Sequence, residues 1–269
     1  MKNKQLTVWE AACIITGYGI GGGVLAMPYM AANNGLAAAL LILILAFAAS
    51  WLLHMMIAEV AQKCGAGAQI VSVFSRFLFR GRAKTALTAA FFALMAFVLV
   101  TNLAAYTAGA ADVIAGFLPV SPLVSKLLFY AVAAAVVLFG LKAVGISEKY
   151  AVAVIFGLVA ALAAASFFAP QQPLPLKAGS VRDGVSFFAM AMFAFSAFFS
   201  IPQAVEGLGG DMRKIKKAVF LGLGNNFILI FVITLCSLLA PADVAEVPKT
   251  GWSVGIGGGA QLVGGAFTV

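Results

Sequence analysis

The sequence predicts an all-α protein that crosses a membrane several times. Of its 269 residues, 63% are hydrophobic and only 10% are charged, and the mean hydropathy is +1.07. Soluble globular domains are far less apolar, because about a quarter of their residues are charged. Apolar runs long enough to cross about 30 Å of hydrocarbon also recur along the chain. We therefore expect a single transmembrane domain over residues 1–269, without a soluble domain.

Seven complete membrane spans are expected, joined by short loops. They lie near residues 9–31, 36–61, 84–115, 124–143, 149–169, 183–206 and 217–240. The first run follows Lys2 and Lys4 but lacks the cleavage pattern of a signal peptide, so it is expected to remain as a span. An eighth apolar run begins near residue 252 and continues to Val269 without a polar tail. The sequence is therefore expected to be a fragment of a longer protein.

The distribution of basic residues predicts a cytoplasmic N-terminus. In this orientation the outer segments hold only Lys126, Lys177, Arg182 and Lys249, and the inner segments hold the other 13 of the 17 lysines and arginines. Basic residues favour the cytoplasmic side of membrane proteins. The basic run from Asp211 to Lys217 is then a loop that faces anionic lipid headgroups. Despite the net charge of +8, we expect no binding to nucleic acid.

The rarity of histidine and cysteine excludes several kinds of site. His54 is the only histidine, and the three cysteines show no Cys-x-x-Cys spacing. A histidine-cluster metal site and a His-Glu-x-x-His catalytic motif are therefore both excluded. We expect no cofactor, no metal and no enzymatic activity. His54 itself could relay protons, although a lone intramembrane histidine more often contacts a neighbouring helix.

The first span contains an unusual concentration of glycine. Five glycines lie within seven residues of the stretch GYGIGGGVLAMP: Gly17, Gly19, Gly21, Gly22 and Gly23. Glycine weakens a helix, and an interrupted helix in lipid must find partners for its free backbone groups. The stretch therefore predicts a broken helix whose second half offers free N–H groups to a carboxylate.

The glycine stretch also matches two other patterns. Its G-x-G-x-x-G pattern is found in dinucleotide-binding loops, but those require a strand before the loop, which an all-α membrane protein lacks. Its G-x-x-x-G pattern is typical of close helix packing, and this alternative stays open when the segment is considered alone.

A second interruption is predicted in the sixth span. Its sequence, FAMAMFAFSAFFSIPQAVEGL, places Ser196, Ser200, Pro202 and Gln203 in mid-membrane. Pro202 lacks a backbone donor and is expected to break the helix, although an ordinary proline kink is an alternative. Transporters built from inverted repeats place interrupted helices in corresponding spans of the two repeats. Spans one and six, five apart, fit that arrangement.

The residues resemble a known family. GYGIGGGVLAMPYMAANNGL is similar to the first span of permeases in the amino acid/auxin permease and hydroxy/aromatic amino acid permease group, which includes tryptophan and tyrosine permeases. FAFSAFFSIPQAVEGLGGDMRKIKKAVFLG is similar to their sixth span and the basic loop after it, and Glu59-Val60 also fits. Many of these permeases have Gly-Phe-His where this chain has Ala194-Phe195-Ser196.

The resemblance implies a five-plus-five inverted-repeat transporter fold of the LeuT type. The first repeat would cover residues from about 9 to 169, and the second would begin near 183. The resemblance also implies that spans eight to ten are missing from the chain, so the second repeat is expected to be incomplete.

Candidate site residues combine these patterns with the resemblance. Those expected to bind substrate are Gly19, Gly21, Gly22, Gly23, Asn102, Tyr106, Phe195, Ser196 and Phe199. Asn102 and Tyr106 share one face of span three, with an interhelical hydrogen bond as the alternative role. Those expected to take part in ion or proton coupling are Thr16, Asn225, Asn226 and Lys149, of which Lys149 is predicted to open span five.

The expected function is uptake of an amino acid by a secondary transporter in a bacterial inner membrane. The resemblance implies a hydrophobic or aromatic substrate, alternating access and symport with an ion, a proton in preference to sodium. A channel or a structural membrane subunit is the alternative. A channel would carry a continuous polar stripe along several spans, whereas the polar residues here gather around two interrupted helices.

Overall fold

The computed structural model describes residues 5–20, 23–65, 68–168, 171, 173–176 and 179–239, and the regular elements among them are all helices. In chain order these helices are α1 (Val8–Gly19), α2 (Gly23–Asn34), α3 (Leu36–Cys64), α4 (Ile70–Phe77), α5 (Lys84–Phe117), α6 (Pro122–Leu138), α7 (Leu141–Phe168), α8 (Val181–Ala194), α9 (Ser200–Gly207) and α10 (Met212–Leu239).

The predicted multi-pass helical architecture is confirmed. Within the described ranges, α3, α5, α7 and α10 are long and apolar enough to cross a membrane, and α6 is a shorter apolar helix. Spans one and six are each divided into two shorter helices. The eighth span expected near residue 252 lies outside the described residues.

Both predicted interruptions are present. In span one, α1 ends at Gly19 and α2 begins at Gly23; in span six, α8 ends at Ala194 and α9 begins at Ser200. The prediction that Pro202 causes the second break is wrong. Pro202 is the third residue of α9, where a backbone N–H has no intrahelical acceptor to lose. The chain turns before it, with the Ser200 N–H donating to the Ala197 carbonyl at 3.0 Å.

The predicted boundaries of span five also need correction. The sequence places its start at Lys149, whereas α7 begins at Leu141, so Lys149 lies more than two turns inside the helix. The preceding turn is at Gly140, whose φ is +86°, a conformation that favours glycine. The charged residues after this turn are typical of a loop. One of them, Lys142, can nevertheless lie within the helix because it forms an ion pair with Glu10 of α1.

The fold is organised around α1, which packs against α7, α9 and α10. Gly222 lets α10 approach closely, since a Cβ at this position would lie 2.7 Å from the Ile15 side chain and 2.9 Å from the Ala12 carbonyl oxygen. The α3 helix packs against both halves of span six, and α6 packs against both α5 and α7. The half-helices of spans one and six are therefore enclosed by α3, α7 and α10.

Several contacts fix the start of α1. Thr7 and Glu10 form a capping box, in which each side chain accepts a hydrogen bond from the other's backbone N–H. Glu10 is buried and its carboxylate is paired with the Lys142 ammonium of α7. The Leu6 N–H donates to the Gly207 carbonyl at 2.8 Å. The start of span one is thus joined to spans five and six.

Loss of the Lys142 ammonium is expected to destabilise the protein. Lys142→Met keeps most of the side-chain volume but leaves the buried Glu10 carboxylate without its cation, at a cost of roughly 1–3 kcal/mol. Thermal unfolding in detergent should show a lower Tm. Lys214→Met is the matched control, because Lys214 and Asp211 form an exposed pair of little expected value. Equal Tm values for the two variants would contradict the assignment.

Candidate functional site

The two interruptions lie side by side. Gly23, the first residue of α2, packs so closely on the end of α8 that a Cβ there would be 3.0 Å from both the Cα and the Cβ of Ala194. The rings of Tyr18 and Phe199 have centroids 5.9 Å apart. Four helix ends therefore meet in one region: the end of α1, the start of α2, the end of α8 and the start of α9.

A pair of side chains on α3 binds the unwound backbone of span six. His54 is completely buried, and its Nε2 accepts a hydrogen bond from the Ala197 N–H at 3.0 Å. Ser50, one turn earlier on α3, donates from its hydroxyl to the Phe195 carbonyl at 3.3 Å. The imidazole also stacks on the Phe198 ring, with centroids 4.5 Å apart. The α3 helix thus supplies both a donor and an acceptor to the break.

These hydrogen bonds fix the tautomer of His54. Because a backbone N–H can only donate, Nε2 must carry the lone pair, and Nδ1–H donates to the Ser50 carbonyl oxygen at 2.6 Å. Both ring nitrogens are therefore engaged in holding the backbone of span six and α3. The structure supports a positioning role for His54, which is the alternative to proton relay that its isolation in the sequence left open.

A cluster of polar side chains surrounds the end of α1. Thr16 is buried, and its hydroxyl lies 2.9 Å from the Ala12 carbonyl oxygen and 3.2 Å from the Gly222 carbonyl oxygen of α10. The Asn225 amide donates to the same hydroxyl at 3.1 Å. This network joins the last turn of α1 to the middle of α10.

Asn226 lies next to this network with its hydrogen-bonding capacity unused. It is fully buried, and neither its Nδ2 nor its Oδ1 has a hydrogen-bond partner in the described part of the chain. Its amide occupies the space where Gly19 has no side chain, because a Cβ on Gly19 would overlap Nδ2. A buried amide without partners is costly in a membrane protein, so the end of α1 has unfilled capacity to bind a polar group.

The helix ends at this place differ in charge. The start of α2 at Gly23 and the start of α9 at Ser200 present the positive ends of their helix dipoles, which favour an anion. The end of α1 presents the negative end of its dipole, which favours a cation. The region can therefore accommodate both charges of a zwitterion or an anion together with a cation.

The remaining predicted site residues are placed less centrally. Phe195 is fully buried, and its ring packs edge-on against Phe47 at 6.0 Å. Ser196 is half-buried and donates from its hydroxyl to the Phe193 carbonyl at 2.7 Å. The Lys149 ammonium lies 5.3 Å from the centre of the Tyr150 ring. Gly21 and Gly22 lie outside the described residues.

On α5, Tyr106 is about half exposed and lies near Tyr18 of α1. Asn102 is exposed on the same helix. The α5 helix has no buried residue in its most apolar window. Most of α5 is therefore exposed, and Tyr106 is its predicted residue that lies near the interrupted helices.

Two features of the region are absent from the set of residues that the sequence predicts. The Ser50–His54 pair has a recognisable signal, because the two polar residues are one turn apart in an otherwise apolar span. Glu148 on α7 lies beside Gly17. The sequence prediction omitted it because span five was expected to begin at Lys149, which placed Glu148 in a loop. Among the described residues there is no group of three or more histidine, cysteine, aspartate or glutamate side chains that could hold a metal ion.

The chain matches a known family. The family model described as the tryptophan/tyrosine permease family matches residues 4–239. No curated protein and no solved structure matches the chain. The match covers both interrupted spans and all of the described helices.

The His54 contact can be tested with two substitutions of similar size. His54→Leu leaves the buried Ala197 N–H without an acceptor and is expected to cost roughly 1–3 kcal/mol. His54→Gln can present an amide oxygen close to the position of Nε2 and should recover much of that loss. Tm in detergent measures both. If the glutamine variant is no more stable than the leucine variant, the hydrogen bond to Ala197 does not contribute as described.

Proposed function

The chain belongs to the tryptophan/tyrosine permease family, and we propose that it takes up an aromatic or other hydrophobic amino acid by symport with a proton. Membership of this family makes it an amino acid transporter of the membrane. The coupling ion, the mechanism of movement and the residues that bind substrate are the parts proposed here.

The observation that carries the proposal is the junction of the two interrupted helices. A free amino acid brings a carboxylate and an ammonium group, and the junction offers helix ends of both signs. The substrate carboxylate is placed at the start of α2, because the first N–H groups of a helix have no acceptor within it and favour an anion. The ammonium group is placed toward the end of α1, near Gly19. Gly21 and Gly22 remain part of the proposed carboxylate site.

Aromatic side chains around the junction fit an apolar substrate. Tyr18 and Phe199 pack against each other there and are both only half-buried. Tyr106 of α5 lies near Tyr18. Such a wall favours a substrate ring through offset or edge-to-face contacts. Ser196, Phe195 and Asn102 stay predicted substrate contacts.

The proposed transport cycle follows from the position of the interruptions. We infer that α1 and α2 correspond to α8 and α9 in an inverted pair of repeats, the first covering residues from about 9 to 169 and the second starting near 183. One bundle of helices would rock against the other around the bound substrate. The N-terminus is placed in the cytoplasm of a bacterial cell because basic residues favour that side.

The polar network at the end of α1 is the proposed coupling region. Thr16, Asn225 and Asn226 bring hydroxyl and amide groups to the negative end of the α1 dipole. Lys149 is on the neighbouring α7 and completes the set proposed from the sequence. A positive charge gained here would interact with the negative end of the α1 dipole, and α1 also contacts the proposed substrate.

Substrate uptake and one substitution test this proposal. Proteoliposomes containing the full-length protein should show saturable uptake of labelled tryptophan or tyrosine, driven by an inward pH gradient. Phe199→Ala removes an aromatic contact worth about 1 kcal/mol and is expected to raise KM roughly fivefold. Phe92→Ala is the control, because Phe92 is exposed on α5.

Two results would contradict the proposal. Absence of saturable amino acid uptake by the wild-type protein would remove the assigned function. Equal KM values for Phe199→Ala and Phe92→Ala would leave transport in place but remove the substrate from the junction of the two interruptions.

A further inference from the structure

A carboxylate stands against the last turn of α1. Glu148 is in the third turn of α7 and is half-buried. Its side chain points at Gly17, where a Cβ on the glycine would overlap Oε2 and lie 2.7 Å from Cδ. The carboxylate therefore occupies space that only the absence of a side chain at Gly17 makes available. Gly17 is two residues before Gly19, where α1 ends.

Glu148 has no hydrogen bond and no ion pair with any residue in the described ranges. Ionisable side chains are present on each element packed against α7, but none is paired with Glu148. These groups are Cys13, Glu10 and Tyr18 on α1, Lys126 and Tyr130 on α6, Glu206 on α9, and Arg213, Lys214, Lys216, Lys217 and Cys236 on α10. On α7 itself, the Lys142 ammonium binds Glu10, and the Lys149 ammonium lies over the Tyr150 ring.

Two physical effects disfavour an ionised carboxylate at this position. A charged side chain within a membrane is costly unless it is paired, and unpaired carboxylates there mark proton or ion pathways. The end of α1 also carries the negative end of a helix dipole, which repels a second negative charge. Both effects are removed when the carboxylate binds a proton.

We propose that Glu148 takes up the proton that is transported with the amino acid, an inference that rests on the proposed symport. A proton from the outer solution adds to a carboxylate oxygen to give the neutral acid, and the same O–H bond breaks when the proton leaves toward the cytoplasm. No other bond changes. The shared helix α1 links the two events, because it contacts Glu148 at Gly17 and ends where the substrate is placed.

A second polar group reaches the end of α1 from its other side. Asn226 is buried without a hydrogen-bond partner in the described part of the chain, and its amide lies at Gly19, half a turn from Gly17 on the same helix. Glu148 and Asn226 thus approach the end of α1 from α7 and α10, respectively. A proton on Glu148 lets α7 pack against α1 without a buried charge, whereas its loss favours an arrangement in which water reaches the carboxylate. The proton thereby biases the position of the half-helix.

Glu148→Gln is the principal test, because glutamine has the shape of the neutral acid and cannot release a proton. In proteoliposomes with the full-length protein, this variant is expected to keep substrate exchange without a gradient within about twofold of wild type. Accumulation driven by a pH gradient should fall at least tenfold. Glu59→Gln is the control, since Glu59 is an exposed carboxylate on α3, and it should keep both activities.

The other outcomes of this assay contradict the proposal. Undiminished pH-driven accumulation in Glu148→Gln means that the coupling proton binds elsewhere. Loss of exchange and accumulation together in a folded variant assigns Glu148 to substrate binding instead. Accumulation that follows a sodium gradient and ignores pH assigns the coupling to sodium. If Glu148→Gln does not fold, Glu148→Asp keeps the carboxyl group and should retain pH-driven uptake with a shifted pH dependence; unchanged pH dependence contradicts the proposal.

A spectroscopic measurement separates this proposal from the proposed function. Infrared spectra of the wild-type protein in lipid near neutral pH, where ordinary carboxyl groups are ionised, should contain the carbonyl stretch of a protonated carboxylic acid that Glu148→Gln lacks and Glu59→Gln retains. If the wild type does not transport amino acids but shows this band, symport fails while the proton site stands. If the spectra of wild type and Glu148→Gln coincide, the proton site is rejected whatever the transport assay shows.

Discussion

Backbone hydrogen bonding inside the membrane is the constraint on which this structure depends. Hydrocarbon offers no partners for free N–H and C=O groups, yet spans one and six both stop being helical in mid-chain. Ser50 and His54 of α3 bind the Phe195 carbonyl and the Ala197 N–H. Thr16, at the end of α1, is bound by the Gly222 carbonyl and Asn225 of α10. The α3 helix therefore supplies partners to the free backbone of span six, and α10 holds the end of α1 through the Thr16 hydroxyl.

Close packing at small residues brings the two interruptions together. Gly23 packs against Ala194 and so joins the two interruptions, and Gly222 packs against Ile15 and so joins α10 to α1. A Cβ on either glycine would lie closer to these neighbours than a normal contact allows. The ion pair between Glu10 and Lys142 fixes the start of α1, while its end near Gly19 is surrounded by polar groups from α7 and α10. The half-helix α1 is thus anchored at one end and surrounded at the other by groups whose charge or hydrogen bonding can change. This arrangement is what a helix needs if it is to respond both to an amino acid and to a proton.

Much of this architecture could be predicted from the sequence, because apolar runs and glycine-rich breaks are local properties. The glycines before Pro28 indicated the first interruption correctly. The second interruption was found for the wrong reason, since Pro202 lies in the first turn of α9 and the turn precedes it. The start of span five was missed, since Lys142 and Glu148 suggest a loop when α1 is not known to lie beside them. The contact of His54 with Ala197 joins residues far apart in the chain, and local patterns contain no information about it.

Hydrogen exchange measured by mass spectrometry tests the central claim that one amino acid binds at both interruptions. The full-length protein in lipid nanodiscs is compared with and without saturating tryptophan or tyrosine, and the exchange rate of peptides from each span is measured. Peptides containing Gly19 and Gly23 and peptides containing Ala197 are expected to gain protection together, whereas peptides from the exposed part of α5 around Phe92 are not. Protection of only one interruption, or of neither in a protein that binds the amino acid, would contradict the claim.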